Sequence, residues 1–152
     1  MKKRFEAIKA HFEKEAVNFD KFFFKVAPHY GEMKKTFVEA LPFKKQDRLK
    51  VLDLGSGTGN LSQEIVSAYP NARIMCIDMA ENMIKMAKAK LGERDNVKFW
   101  LGDIRDFDYS GRYDVIVASL VLHHIDKEDK PRFYRKLHNA LSRKGVFFCI
   151  DI

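Results

Sequence analysis

The chain has 152 residues, the size of a single domain, and carries a formal net charge of +7. Apolar residues make up 46% and charged residues 32%, which is typical of a globular protein and excludes a disordered or fibrous one. The longest apolar stretch, residues 115–122, is interrupted by Ser119. A membrane-spanning helix needs about 20 apolar residues, so we expect no membrane span.

Residues 1–45 have the spacing of amphipathic helices. Apolar side chains recur every three or four residues and predict one helical stripe, broken near residues 18–20: Phe5, Ile8, Phe12, Ala16, Phe19, Phe23 and Val26. Pro28 is a favourable first residue for a second helix, which Pro42 ends. The predicted apolar face of that helix is Tyr30, Met33, Phe37 and Leu41. We expect residues 1–45 to form a helical lid on a second domain.

The positive charge is concentrated near the start of the chain. Residues 1–50 hold 13 Lys and Arg against 7 Asp and Glu, whereas the remainder holds 15 against 14. The lysines alternate with glutamates, a pattern that favours a solvated helical face. An anionic partner such as nucleic acid is the alternative.

From residue 50 onward, short apolar strands alternate with helices. The predicted strands are 50–54, 72–77, 97–101, 114–119 and 145–152. The predicted helices are 60–69 capped by Asn60, 81–91 ended by Gly92, and one that begins at Asp126, buries Phe133, Leu137 and Leu141, and ends at Gly145. Strands that are apolar on both faces and alternate with helices predict an α/β fold with a doubly wound parallel sheet. Such sheets bind ligands at the carboxyl ends of their strands.

A glycine-rich loop follows the first predicted strand, in the sequence VLDLGSGTGN of residues 51–60. Gly55, Gly57 and Gly59 permit a tight turn from strand to helix and let bare backbone approach a ligand. A nicotinamide-binding fingerprint would place its last glycine where Asn60 stands, which disfavours an NAD-dependent oxidoreductase. Asp53 suits a cationic ligand better than a pyrophosphate, whose charge it would repel.

Two further acids follow the next strands. Asp78 ends the second strand, where a carboxylate can accept both hydroxyls of a ribose, and Asp103 ends the third, where it can accept a hydrogen bond from an adenine amino group. Strand-end aspartates often only cap the following helix. That explanation suits any one of the three acids, but it explains the set and the glycine loop much less well.

With these motifs, the sequence resembles the class I S-adenosylmethionine-dependent methyltransferases. The matching segments are VLDLGSGTG, CIDMAENMI, FWLGDIRDF and YDVIVASLVLHHI, which together cover about residues 49–150. The resemblance implies S-adenosylmethionine as the cofactor and a Rossmann-like, mainly parallel sheet of strand order 3-2-1-4-5 in residues 46–152. Base-amino methyltransferases carry Asn or Asp and two prolines after the fourth strand, but here the residues are SLVL, so that activity is disfavoured.

The resemblance also implies a role for individual residues. Gly55, Ser56 and Gly57 would contact the methionine end of the cofactor, and Asp53 would lie near its ammonium group. The remaining implied contacts are Asp78 with the ribose, Met79, Asp103 and Ile104 with the adenine, and Ser119 with the cofactor from the end of the fourth strand.

The N-terminal segment, with FD at residues 19–20 and APHY at residues 27–30, is similar to that of small bacterial members such as the carboxy-S-adenosylmethionine synthases. By that resemblance Tyr30 closes over the methionine moiety. The alternative is a core tyrosine on a helix face. Met83 and Met86, after Met79, are best interpreted as an adenine wall and helix packing, with no metal site.

The expected function is methyl transfer to a small-molecule acceptor by in-line displacement, which needs mainly alignment and exclusion of water. His123 and His124 follow the fourth strand and are candidate proton acceptors, although a structural or solvent-facing role is more common for loop histidines. A tRNA-modification enzyme that uses S-adenosylmethionine or a derivative, and a non-catalytic cofactor-binding module, are the alternatives.

The two cysteines, Cys76 and Cys149, lie in apolar runs and predict buried thiols in a reducing compartment, hence a cytoplasmic protein. The family's sheet has seven strands, whereas this chain stops after the fifth, so we expect the C-terminal strand pair of the domain to be missing. The strand at residues 146–150 would then lie at an open edge, which makes a homodimer formed by strand pairing the alternative to a truncated chain.

Overall fold

The computed structural model describes residues 2–26 and 29–151, and the side chains of all of these except 2–5, 22–24 and 26. The predictions at Pro28 and for the side chains of Phe5, Phe23 and Val26 therefore lie outside the described residues. The chain begins with α1 (Lys2–Glu15), a 3-10 helix (Ala16–Asn18), α2 (Phe19–Val26) and α3 (Tyr30–Ala40).

Strands and helices alternate after α3, as the sequence predicts. They are β1 (Lys50–Leu54), α4 (Asn60–Ala68), β2 (Arg73–Asp78), α5 (Glu81–Leu91), β3 (Val97–Leu101), β4 (Tyr113–Ser119), a 3-10 helix (Leu122–His124), α6 (Lys130–Ala140) and β5 (Leu141–Ile150). The strands form one parallel sheet in the order β3-β2-β1-β4-β5. This confirms the predicted Rossmann-like α/β fold and places β1 at the centre of the sheet.

The core lies in two layers, one on each face of the sheet. Val51 packs in one layer, whereas Leu52 and Leu54 pack in the other, because successive side chains of a strand point to opposite faces. The first layer includes Phe37 and Leu41 of the N-terminal region. A smaller cluster joins the N-terminal helices to α5: Ala16, Ala80 and Met83, with Phe12, Phe19 and Met86 packed against it. Among the described residues, no helix has the length and hydropathy needed to cross a membrane.

The boundary between α6 and β5 differs from the prediction. The helix begins at Lys130 and not at Asp126, since Pro131 stands in its first turn, where its missing N–H costs no hydrogen bond. It ends at Ala140 because Leu141 is extended and pairs with Tyr113 of β4. Phe133 and Leu137 are buried as predicted, but Leu141 belongs to β5.

Gly145, predicted to end that helix, lies inside β5. The pairing of β4 with β5 is irregular between Tyr113 and Val115. A Cβ atom at position 145 would lie 2.8 Å from the carbonyl oxygen of Tyr113. The close backbone approach, and not a helix end, therefore requires glycine here.

Three smaller predictions are also corrected. Asn60 is the first residue of α4 and makes no capping bond, since the N-cap is Gly59 with a positive φ of 80°. Cys149 is exposed, unlike the buried Cys76, because β5 is the edge strand of the described sheet. Met33 is 44% exposed and lies outside the apolar face of α3.

Candidate active site

One cavity opens at the carboxyl ends of the strands, beneath the N-terminal helices. It encloses about 1180 Å³, counting the space open to solvent at its mouth. All ten residues that the sequence predicts for the site contribute to its lining: Tyr30, Asp53, Gly55, Ser56, Gly57, Asp78, Met79, Asp103, Ile104 and Ser119. The structure therefore brings the predicted set together. The contact that each residue makes with a cofactor stays a prediction.

The three loop glycines have positive φ angles, of 65° at Gly55, 53° at Gly57 and 80° at Gly59. Their surroundings differ. A Cβ atom on Gly55 would lie 2.4 Å from Cγ2 of Val121, whereas a Cβ on Gly57 would meet nothing within 4 Å. Gly55 is thus required by the packing of the loop against the segment after β4. Gly57 instead leaves open space at the cavity wall, where backbone can approach a ligand.

Asp78 ties the glycine loop to the end of β2. Its Oδ2 atom accepts a hydrogen bond from the backbone N–H of Gly57 at 2.8 Å, and Oδ1 accepts one from Ala80 at 2.9 Å. Burial raises the pKa of this carboxyl, although the two backbone N–H groups act in the opposite direction. Each carboxylate oxygen can accept more than one hydrogen bond, so both can still receive a ligand's hydroxyls.

Asp53 is 1% exposed and lies in the central strand. Its Oδ2 atom accepts a hydrogen bond from the hydroxyl of Ser62 at 2.5 Å. Burial raises its pKa to about 6, and the negative charge of Asp78 adds to that shift. A cation at the cavity wall would reverse the shift, because it stabilises the ionised carboxylate.

Asp103 is paired with Arg105, a contact that the sequence reasoning missed. The guanidinium Nε atom lies 3.0 and 2.9 Å from the two carboxylate oxygens, Nη2 also donates to Oδ2, and the backbone N–H of Arg105 donates to Oδ1 at 2.8 Å. Asp103 thus has a structural partner besides any adenine contact. The motif GDIRDF contains both residues, but nothing in it shows which way the arginine turns.

Tyr30, at the start of α3, contributes to the cavity wall from the N-terminal helices. Its phenol oxygen lies 2.7 Å from the hydroxyl oxygen of Ser119 at the end of β4. Burial raises the pKa of Tyr30 to about 12, so it stays protonated at neutral pH. Leu120, the next residue after Ser119, has a positive φ of 53° and also lines the cavity. Tyr30 is both buried and part of the cavity wall, which leaves its contact with the methionine moiety as a prediction.

The two histidines differ in position. His124 lines the cavity, and its ring packs edge-on against Phe12 with centroids 5.8 Å apart. His123 is absent from the lining and its Nδ1 atom lies 2.6 Å from Oδ1 of Asp151. The adjacent rings are 4.0 Å apart. Of the two, His124 is therefore the one placed to meet a bound molecule.

A group of polar side chains beside the glycine loop, here called the Lys90 cluster, was not predicted from the sequence. It consists of Asp20, Thr58, Asn60 and Lys90, drawn from three separate segments of the chain. Thr58 and Asn60 line the cavity. The one available signal was Asn60 itself, a polar residue at the position where a nicotinamide-binding loop has glycine.

Comparison with known proteins agrees with this geometry. The model of the methyltransferase domain family matches residues 51–145. The malonyl-[acyl-carrier protein] O-methyltransferase of Acetivibrio thermocellus is 30% identical over 139 residues, which are 91% of this chain and 47% of that protein. The carboxy-S-adenosyl-L-methionine synthase of Campylobacter fetus subsp. fetus is 28% identical over 149 residues, 97% of this chain and 61% of that protein.

The chain spans about half the length of the malonyl-[acyl-carrier protein] O-methyltransferases that it matches. Among solved structures, the DhpI–SAH complex has the same fold, with a TM-score of 0.80 at 22% identity over 97% of this chain and 68% of that chain. The family match covers more than half of this chain, and the strand order and glycine loop agree with it. The chain therefore belongs to the class I S-adenosylmethionine-dependent methyltransferases, whose cofactor is S-adenosyl-L-methionine.

Proposed function

We propose that this chain transfers the methyl group of S-adenosylmethionine to a small-molecule acceptor by in-line displacement. The observation that carries the proposal is the meeting of three strand-end acids and a glycine loop in one cavity. A cavity with a mainly apolar lining and a few converging polar groups is typical of a cofactor site.

The described residues fit this cofactor group by group. Gly57 leaves space for a ligand against bare backbone, and Asp53 is a buried carboxylate whose raised pKa a cationic ammonium would lower. The carboxylate of Asp78 accepts one backbone hydrogen bond on each oxygen and keeps acceptor capacity for the ribose hydroxyls that we propose it binds. Met79, Met83 and Ile104 form an apolar wall suited to a flat adenine ring.

When bound, S-adenosylmethionine supplies a methyl group that its sulfonium already activates. The chain's own residues then have to align the acceptor and exclude water, which can lower the barrier by about 7–11 kcal/mol. Phe12, Phe19 and Tyr30 cover the cavity and carry out the exclusion. A proton acceptor is needed only if the acceptor must first lose a proton, and His124 is the candidate for that step.

The first acceptor to test is a carboxyl oxygen. Malonyl-[acyl-carrier protein] O-methyltransferases from several bacteria are 26–32% identical to this chain. A carboxylate is already ionised at neutral pH, so its methylation requires no general base. A second candidate is formation of a carboxylated S-adenosylmethionine, favoured by the similarity to two carboxy-S-adenosyl-L-methionine synthases, one over 97% of this chain.

The test is calorimetric titration with S-adenosylmethionine, S-adenosylhomocysteine and NAD. We expect S-adenosylmethionine and S-adenosylhomocysteine to bind to the wild type, and their binding to be lost in Asp78→Ala. Asp95→Ala removes an exposed aspartate and should bind both ligands as the wild type does. Transfer of a labelled methyl group to small carboxylic acids and to their carrier-bound forms then identifies the acceptor. Binding of NAD alone would contradict the proposal, and cofactor binding without transfer to any acceptor would favour the non-catalytic alternative.

A further inference from the structure

Residues 6–20, here called the cover segment, contact both ends of α5. At the start of α5, the carboxylate of Glu13 accepts hydrogen bonds from the backbone N–H groups of Glu81 at 2.6 Å and Asn82 at 2.9 Å. The side chain of Asn82 donates in return to the backbone carbonyl of Glu13 at 2.9 Å. The helix's own N-cap residue, Ala80, makes no side-chain capping bond. The cap of α5 therefore comes from α1, where a carboxylate also complements the helix dipole.

At the other end of α5, the ammonium of Lys90 donates to Asp20 at 2.7 Å, to Thr58 at 3.0 Å and to Asn60 at 2.6 Å. Those three contacts use all three of its donors. Asp20 accepts two further hydrogen bonds, from Thr58 at 2.6 Å and from the amide of Asn60 at 2.8 Å. The Lys90 cluster is thus internally satisfied, and Asp20 is its only negative charge.

The same contacts join the cover segment to the wall of the cavity. Thr58 and Asn60 line the cavity on the glycine-loop side, while Ile8, Phe12 and Phe19 line it from the cover segment. Ala16, between Glu13 and Asp20, is 1% exposed and packs with Ala80 and Met83. The cover segment is consequently held at two polar contacts, and its apolar side chains face the cavity.

We propose that Glu13 and Asp20 are positioning residues that hold the cover segment over the cofactor cavity, and that release of Asp20 from Lys90 controls how fast the cofactor leaves. This inference rests on the proposed function, because it takes the cavity to be the cofactor site. Of the two contacts, the one at Asp20 reaches the cavity wall, since its partners Thr58 and Asn60 both line the cavity.

The Asp20–Lys90 contact is partly open to water, with 31% of the Asp20 side chain and 19% of the Lys90 side chain exposed. Burial raises the pKa of Asp20, but the hydrogen bonds from Lys90, Thr58 and Asn60 outweigh it, so the net shift is downward. Asp20 is accordingly ionised at neutral pH. Because partly exposed ion pairs are weakened by salt, cofactor release should become faster as ionic strength rises.

The experiment measures the dissociation rate of S-adenosylhomocysteine by competition in a stopped-flow instrument. Asp20→Asn and Lys90→Met should each release the ligand about tenfold faster than the wild type, the loss expected for a charge-assisted hydrogen bond. The double variant should be no faster than either single one. Lys85→Met is the matched control, because Lys85 lies in the same helix and pairs with the exposed Glu81.

Amide hydrogen exchange separates this role from a general loss of stability. We expect faster exchange in residues 6–20 of Asp20→Asn, with unchanged protection in β1 and β4. Wild-type release rates in both Asp20→Asn and Lys90→Met, or a uniform rise in exchange over the whole chain, would overturn the inference. If the wild type binds neither cofactor nor product, the proposed function fails. The exchange measurement then still decides whether Asp20 holds the cover segment.

Discussion

The phenol of Tyr30 and the hydroxyl of Ser119 meet at 2.7 Å, although the two residues are 89 positions apart. Tyr30 is the first residue of α3, and Ser119 is the last residue of β4. Their hydrogen bond joins the N-terminal helices to the strand end at which the cavity opens. The lysine one turn later, Lys34, is buried, pairs with Glu64 and lies over the Tyr30 ring at 5.7 Å. Tyr30 is therefore oriented from both sides.

We expect Tyr30→Phe to weaken cofactor binding about fivefold, since one buried hydrogen bond contributes about 1 kcal/mol. The ring stays in place, so the protein should remain folded. Calorimetric titration with S-adenosylhomocysteine measures the change. Tyr134→Phe is the control, because Tyr134 is 40% exposed. Equal affinities of Tyr30→Phe and wild type would show that the hydroxyl has no part in closing the site.

Alanine at Gly55 and alanine at Gly57 should have different consequences. Gly55→Ala requires a left-handed backbone and a clash with Val121, so we expect a loss of about 2–5 kcal/mol in the free energy of unfolding. Gly57→Ala requires only the left-handed backbone and should lose about 1–2 kcal/mol. Denaturant unfolding measures both values.

The effect of the glycine loop on cofactor binding should be measurable in Gly57→Ala. Gly57→Ala should fold and yet bind the cofactor weakly, because its methyl group occupies the open space at the cavity wall. The same titration on the folded variant tests this. If Gly57→Ala binds as tightly as the wild type, the loop backbone does not face the cofactor there.

Asp53 predicts a pH dependence of stability. The pKa of its carboxyl is about 6 in the folded protein, against an ordinary 3.8. Between these two pH values the folded state therefore holds a proton that the unfolded state has released. The stability that this proton contributes is complete below about pH 4 and is lost as the pH rises through about 6. Asp53→Asn should remove that slope. Thermal unfolding of the ligand-free protein between pH 4 and pH 8 measures it.

Cofactor affinity should change with pH in the opposite direction. The ammonium group proposed to lie near Asp53 favours the ionised carboxylate, so binding should strengthen as the pH rises through about 6. At pH 5 only about a tenth of a carboxyl with a pKa of 6 is ionised, which predicts binding about tenfold weaker than at pH 8. Titrations at both pH values test the expectation, and a pH-independent affinity would place the ammonium elsewhere.

The two histidines should be separable by mutation. His124→Ala removes a ring that packs against Phe12 at the cavity wall, and we expect binding several-fold weaker, in line with about 1 kcal/mol for an aromatic pair. His123→Ala loses the contact with Asp151 but no part of the cavity lining, so cofactor affinity should stay within about twofold. Turnover with an identified acceptor then tests whether either histidine accepts a proton. Unchanged rates in both variants would show that neither does.

Several elements were predictable because their signals are local. The bounds of α5 and β3 agree with the prediction. Each element is an apolar run with an acid and a following glycine close to it in the chain, so the signals that mark it are neighbours in sequence. The end of α6 was not predictable in this way. Gly145 has the appearance of a helix stop, but pairing with Tyr113 draws Leu141 into β5 and places the glycine inside the strand. Long-range strand pairing here outweighs a local signal.

The order of strands and helices, the glycine loop and the three acids were all predictable from local sequence patterns. Parallel topology brings the carboxyl ends of the strands to one edge, so the place of the site was predictable too. The residues that cover that edge could not be predicted in this way. Tyr30 reaches Ser119, Glu13 caps α5 and Asp20 meets Lys90 across 70 positions of the chain. Such contacts depend on how separate helices pack, and side-chain type at one position carries no information about a partner that distant.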